Sequence, residues 1–196
     1  MFKEIIKPSL VLFLVCACIT GALAYVNGVT EPIIAENARI AEQESLKSVF
    51  NGADSFLEPK EAEELKTEGF EVSEGIEKLY VAQKGGQSVG YVVAVSSGGY
   101  GGKIKMLVGI DNDFDIKGVS LTSHKETPGL GAKASDPGFT EQFLGKAPEK
   151  VFNVVKRVPR DDNEIQAITA ATITSKAVTR GVDDAVALVR SMTGGV

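Results

Sequence analysis

Threonines Thr169, Thr172 and Thr174 crowd around Ala170 and Ala171 in the stretch "EIQAITAATITSKAVTRG", just ahead of an amphipathic pattern. Hydroxyls in such a place admit two chemistries. One is structural: a threonine oxygen accepts an orphan amide hydrogen and caps the helix. The other is a modification, with one hydroxyl as the attachment point and the small alanines leaving room for the incoming group. A second stretch, "HKETPGLG" at 124–131, reads as a rigid loop. Pro128 fixes φ there, while Gly129 and Gly131 allow close backbone approach to a ligand. His124, the chain's single histidine, is either a hydrogen-bonded surface residue or a proton donor. The glycine run "GGYGG" at 98–102 lacks both a following Lys-Ser/Thr and the G-x-G-x-x-G spacing, so it is no nucleotide fingerprint. Tyr100 within it either stacks on a ring or occupies a solvent-exposed turn.

Composition narrows what such residues can serve. At 196 residues the chain suits one globular domain plus an appendage, and 43% hydrophobic content provides for a core. A net charge of −5 argues against nucleic acid as a partner, because phosphate backbones demand a basic face. Only Cys16 and Cys18 supply thiols, too close in sequence for ordinary disulfide geometry, and both lie in the most apolar stretch. The globular part has no cysteine and one histidine, so a protein-only zinc or iron–sulfur site is not expected.

The N-terminus, "MFKEIIKPSLVLFLVCACITGALAYVNGVTEP", carries no charge between Lys7 and Glu31. From Leu10 to Val26 it is almost unbroken apolar, and with its flanks it reaches the roughly 20 residues that cross a bilayer core. Lys3 and Lys7 precede it and Glu31 and Glu36 follow, so the positive-inside rule keeps the N-terminus cytoplasmic and the bulk of the chain outside. Two alternatives are a cleaved signal peptide ending near "ALA" at 22–24 and a lipoprotein box ending at Cys18. All three put the domain on the same side of the membrane.

The elements that must position the threonines follow from periodicity. Residues 31–49 have helical spacing with one polar face, a stalk leaving the membrane, which "NGADSF" then breaks. "PKEAEELK" suggests a short charged helix or turn. Residues 77–95 read as a strand, a tight turn at Gly85–Gly86 and a second strand; "KIKMLVGID" and "DIKGVSLTS" form another hairpin around "NDFD". A helical segment is expected near 139–146 and an apolar strand at 151–155. A final helix runs from about Thr174 to Ser191, with apolar residues at 177, 178, 182, 185, 186 and 189 on one face. The expected class is α+β, an antiparallel sheet with packed helices behind one N-terminal transmembrane helix. The expected divisions are an anchor at 1–30, a juxtamembrane helical stalk at 31–60 and a domain at 61–196.

Taken together, the anchor, the "GYGGKIKMLVGID" region, "HKETPGLG" and "AITAATITSKAV" resemble the FMN-binding domain family. Its members are electron-transport subunits of the Rnf complex and of sodium-pumping NADH:quinone oxidoreductase. The resemblance is closest to the G-subunit family of the ion-translocating ferredoxin:NAD oxidoreductase, Rnf, and covers essentially the whole chain. The family's flavinylation pattern is an Asp, two variable residues, Ser or Thr, Gly, Ala and the acceptor Thr. Laid on Gln166 to Thr172, it makes Thr172 the acceptor, joined to the FMN phosphate as a phosphoester. Two positions depart: Gln166 stands for the acidic residue, which bears on recognition by a flavin transferase, and Ala170 stands for the glycine, which removes backbone freedom.

The resemblance implies a covalent FMN and no catalytic site of the protein's own. Its implied partners are the other membrane and redox subunits of an Rnf-type complex, with a flavin transferase for maturation. The implied lining of the cofactor is Glu126, Thr127, Gly129, Leu130, Gly131, Thr169, Ala171, Thr174 and Ser175, the last two as hydroxyl donors to the phosphate. A phosphate ester leaves the isoalloxazine untouched, and the free N–H groups of the following helix favour an anion there. Two other functions stay open: the equivalent subunit of a quinone reductase, and a non-redox extracytoplasmic scaffold that has lost its flavin.

Overall fold

The computed structural model describes residues 2–194. Helix α1 (Phe2–Val49) runs through the expected anchor and the first part of the expected 31–60 stalk, and ends at Val49; residues 55–56 and 60–61 of the remainder are strand. Within it, Leu12–Glu31 is the segment long and apolar enough to cross a membrane, and its large side chains, Leu12, Phe13, Ile19 and Leu23 among them, are exposed. The side chains of Lys3 and Lys7, on which the expected orientation depends, lie outside the described residues.

Residues from Gln43 onward form a compact unit by themselves. After α1 come β1 (Ser55–Phe56), β2 (Lys60–Glu61), α2 (Ala62–Thr67), β3 (Ile76–Lys84), β4 (Gln87–Gly98), β5 (Lys103–Asp111) and β6 (Asp115–Ser123). Then follow a 3₁₀ turn (Gly131–Ser135), α3 (Pro137–Thr140), a second 3₁₀ turn (Glu141–Phe143), β7 (Gly145–Lys146), β8 (Asn153–Val155), β9 (Glu164–Gln166) and α4 (Thr172–Thr193). The main sheet runs β1-β3-β4-β5-β6-β7 with β2 also beside β3, and every pairing in it is antiparallel. Both expected hairpins are present, turning at Gly85–Gly86 and at 112–114. The α+β class is as expected.

Three local expectations need correction. The segment 139–146 is a turn of α-helix, a 3₁₀ turn and an edge strand: helical geometry ends at Leu144, which is already extended at ψ 140°, and Gly145 at φ 107° turns the chain into the strand. The strand near 151–155 is only Asn153–Val155, and it pairs in parallel with β9 rather than joining the meander. Helix α4 starts at Thr172, ahead of the expected Thr174.

The sheet is buried on both faces, and period-two alternation assigns each side chain. Leu79, Val93, Met106 and Val108 face α4, whose Ala177, Val178, Val182, Ala185 and Val189 cover them. Tyr80, Val92 and Leu107 point to the other face, where Leu46, Val49 and Phe50 at the end of α1 close a second core. That closure depends on a paired set of glycines. Gly109 on β5 lies opposite Gly118 on β6. A Cβ at either position would run into the Val49 backbone, so only a bare backbone admits the chain there.

Two further packings deliver the site. Phe139, Phe143 and Phe152 meet edge to face, with ring centroids 5.6 and 5.5 Å apart, and hold the segment after residue 131 against the core. Arg157 grips the buried carboxylate of Glu164 through two N–H donors at 2.6 and 2.8 Å, and the Arg160 amide adds a third bond at 2.9 Å. That clamp fixes the entry to β9, which leads straight into the threonine turn.

Candidate functional site

The threonine turn is built by its own backbone and one serine. Ile165 is buried in the middle of the parallel pair, and the Gln166 amide at its end donates to Gln142 Oε1 at 2.7 Å. The Ile168 amide then donates to Ser175 Oγ at 3.0 Å, and the Ser175 hydroxyl donates to the Ala171 carbonyl at 3.0 Å. This folds 168–171 back onto the first turn of α4. Ala170 closes the turn at φ 61°, in the left-handed region that costs a residue with a Cβ about 1–2 kcal/mol. Ala170→Gly should therefore stabilise the chain by roughly 0.5–1 kcal/mol, after the entropy glycine adds to the unfolded state. Thermal unfolding of the two proteins side by side checks it; a melting point that falls would mean the left-handed turn is not strained.

The residue at the N-cap position of α4 is Ala171, and no side chain caps the helix. The structural role open to the threonines as caps is therefore not taken. Thr172 occupies the first helical position, half-buried, and its hydroxyl has no hydrogen-bond partner among the described residues. Thr174 and Ser175, expected to offer hydroxyls to a phosphate, are buried and already committed. Thr174 Oγ1 donates to Glu126 Oε2 at 2.5 Å, and Ser175 serves the turn as described.

The loop 124–131 meets this turn from the opposite side. Pro128 and Gly129 occupy the centre of a tight turn closed by the Leu130 amide on the Thr127 carbonyl at 3.2 Å, and Gly129 takes the positive φ of 77° that such a turn requires. Glu126 sits inside, with the Gly101 amide donating to Oε1 at 2.9 Å and Thr174 to Oε2. Burial pushes its carboxyl up, but the bonds from Thr174, Gly101 and Tyr100, with a smaller contribution from the charge of His124, outweigh burial and hold it below the usual carboxylate range. The Glu126 amide donates to His124 Nδ1 at 3.3 Å, which gives that histidine a local hydrogen-bonding role. Gly131 must be glycine: a Cβ would overlap the Glu126 carboxylate and the Thr174 hydroxyl.

Between loop and helix lies a cleft of about 510 Å³ lined by Tyr100, Glu126, Thr127, Leu130, Gly131 and the run Ala170–Thr174. Its size is that of a small-molecule site. Leu130, Tyr100 and Ile173 present exposed apolar surface on its rim, and the uncapped amides of the first turn of α4 favour an anion. Of the residues expected to line a cofactor, the structure gathers Glu126, Thr127, Leu130, Gly131, Ala171, Thr172 and Thr174 on this cleft. It does not bring Gly129, Ser175 or Thr169 to it. Gly129 faces open space in its turn, Ser175 is fully buried, and Thr169 lines a neighbouring shallow cleft with Lys133, Gln142 and Gln166. Ile173, absent from the expected set, was recoverable from the sequence: it is an apolar residue that falls off the core-facing stripe of α4. Apolar rim, anion-favouring amides and unbonded hydroxyls on the cleft together fit a flavin mononucleotide.

Comparison with known proteins agrees with this chemistry. Residues 99–187, which contain every residue lining the cleft, match the FMN-binding domain family, and residues 1–49 match the RnfG N-terminal region. The chain is 39% identical over 173 residues to the G subunit of the proton-translocating ferredoxin:NAD(+) oxidoreductase complex of Clostridium ljungdahlii, covering 88% of this chain and 85% of that protein. It is 38% identical over 200 residues to the G subunit of the Na(+)-translocating ferredoxin:NAD(+) oxidoreductase complex of Acetobacterium woodii, covering 98% and 95%. Among solved structures, Shewanella oneidensis NqrC superposes with a TM-score of 0.52 at 26% identity over 60% of this chain and 59% of that one. With identity at this level along nearly its whole length and the family's two regions in order, the chain belongs to the G-subunit family of Rnf-type ion-translocating ferredoxin:NAD(+) oxidoreductase complexes.

Proposed function

We propose that this chain is the membrane-anchored flavoprotein subunit of an ion-translocating ferredoxin:NAD oxidoreductase complex, and that it holds one FMN in the 510 Å³ cleft through a phosphoester on Thr172. The observation that carries the attachment is the state of the hydroxyls at the start of α4. Thr174 and Ser175 are buried and bonded, while Thr172 opens on the cleft without a partner. To form the ester, Thr172 Oγ1 gives its proton to a base of the transferase and attacks the flavin-side phosphorus of a flavin dinucleotide, whose phosphoanhydride bond breaks to release the nucleoside monophosphate. Thr169 and Gln166, exposed on the neighbouring cleft, are where that enzyme would read the motif.

FMN, when bound, supplies the capacity to accept and pass on electrons. The chain's own residues do the rest. The first amides of α4 offset the phosphate charge, Gly131 lets the loop approach the helix, and Leu130, Ile173 and Tyr100 flank the ring with apolar surface. Leu130→Ala should leave the ester intact and shift the flavin's absorption or midpoint potential; a variant that titrates as the wild type does would remove Leu130 from the ring's surroundings.

The cleft lies in the domain that the positive-inside rule sends out of the cytoplasm, behind the anchor at 1–30 and the stalk at 31–60. Protease added to intact spheroplasts should digest the domain. Protection there, with digestion only in inverted vesicles, would reverse the orientation.

A further inference from the structure

We propose that Glu126 sets the flavin's electron affinity: it is a fixed carboxylate in the cleft wall, without a salt-bridge partner among the described residues, that makes the bound cofactor harder to reduce. The proposal rests on the FMN reading above and adds a sign to it. Glu126 is 6% exposed and lines the cleft. Both its oxygens are occupied by neutral donors, the Gly101 amide at 2.9 Å and the Thr174 hydroxyl at 2.5 Å. Among the described residues no lysine or arginine forms a salt bridge with it, whereas the buried carboxylate of Glu164 is gripped by Arg157. His124 turns Nδ1 toward the Glu126 amide as an acceptor, leaving the carboxylate to the other donors.

A buried charge without a counterion is expensive, and proteins keep one where its field is used. Here the alternatives are a structural tie or an electrostatic task. The tie is real: through Glu126 the glycine loop, the 124–131 loop and the first turn of α4 are joined. The field is a separate consequence. An electron entering a ring beside this carboxylate adds negative charge next to negative charge. The hydrogen bonds that keep the carboxylate ionised also keep the charge in place.

Glu126→Gln is the same size and removes the charge while mispairing one donor. In the full-length, flavinylated protein in detergent, its flavin midpoint potential should move to a more positive value. Glu126→Asp restores the charge on a shorter arm, loosening the tie, and should bring the potential back toward the wild type even if the protein melts lower. Thr174→Val keeps the charge and strips one compensating donor, so its potential should move the opposite way, to more negative values; it carries the test if Glu126→Gln does not accumulate. In the flavin-free Thr172→Val chain, the ¹³C signal of the Glu126 carboxyl should be that of a carboxylate at neutral pH. A neutral carboxyl there, or identical potentials in wild type, Glu126→Gln and Thr174→Val, would overturn the proposal and leave the tie alone. Absence of flavin from the wild type would instead overturn the FMN reading beneath it.

Discussion

Thr172→Val should give a protein that folds, inserts into the membrane and stays colourless, with no in-gel fluorescence under ultraviolet light. The substitution keeps the β-branched shape and removes the side-chain oxygen on which the proposed ester is built. Its structural cost is small for a reason visible in the helix start. Thr172 is at the first helical position and caps nothing, and its hydroxyl is unbonded, so no hydrogen bond is lost. Valine and threonine have similar helix propensities, and a change of this kind stays within about 0.5 kcal/mol. Thr174→Val gives the reverse pattern. It strands one oxygen of the buried Glu126 carboxylate, a loss of about 1–3 kcal/mol, yet should retain the flavin. Stability and cofactor content thus move in opposite senses at two threonines separated by one residue. A flavinylated Thr172→Val protein, or a colourless and well-folded Thr174→Val protein, would put the attachment elsewhere.

Gly118→Val should be strongly destabilising to the sheet. The Cβ it adds would stand 2.7 Å from both the Cα and the carbonyl oxygen of Val49, and backbone cannot rotate away as a side chain can. Relief requires the end of α1 to lift, which opens the second core of Leu46, Val49, Phe50, Tyr80, Val92 and Leu107. Overpacking against backbone costs about 3 kcal/mol or more, a large share of a stability of about 5–15 kcal/mol. At roughly 2–4 °C per kcal/mol for a chain of this size, the melting point of the detergent-solubilised protein should fall by about 6–12 °C. Gly138→Val serves as the control, since a Cβ there meets nothing within 4 Å. Equal melting points for the two variants would mean that α1 does not seal that face.

Much of this architecture was legible in the sequence because its signals are local. The stripe at 177, 178, 182, 185, 186 and 189 is buried as its spacing requires, and the glycine pair at 85–86 turns the hairpin it marks. The α1–sheet contact was not legible, because Gly109 and Gly118 are far from Val49 in sequence and glycines leave no periodic trace. The parallel pairing of β8 with β9 was hidden for a similar reason, since each strand is too short to show a pattern. At the site, the motif located the cleft, but the division of labour among hydroxyls depends on distances. Thr174 turns inward to a carboxylate that lies in another loop, and Ser175 turns back on the preceding turn. The departure at Ala170 could be noticed in the sequence; its left-handed φ of 61°, which explains why glycine suits the position, could not.

The covalent link is best tested on one peptide. Trypsin should release residues 161–176, bounded by Arg160 and Lys176, and this fragment contains Thr169, Thr172, Thr174 and Ser175 together. Purified from cells that also make an active flavin transferase, it should gain the mass of one FMN ester, and fragmentation should assign that mass to Thr172. Assignment to Thr169, or a peptide that never gains mass although the transferase modifies another substrate in the same cells, would contradict the account.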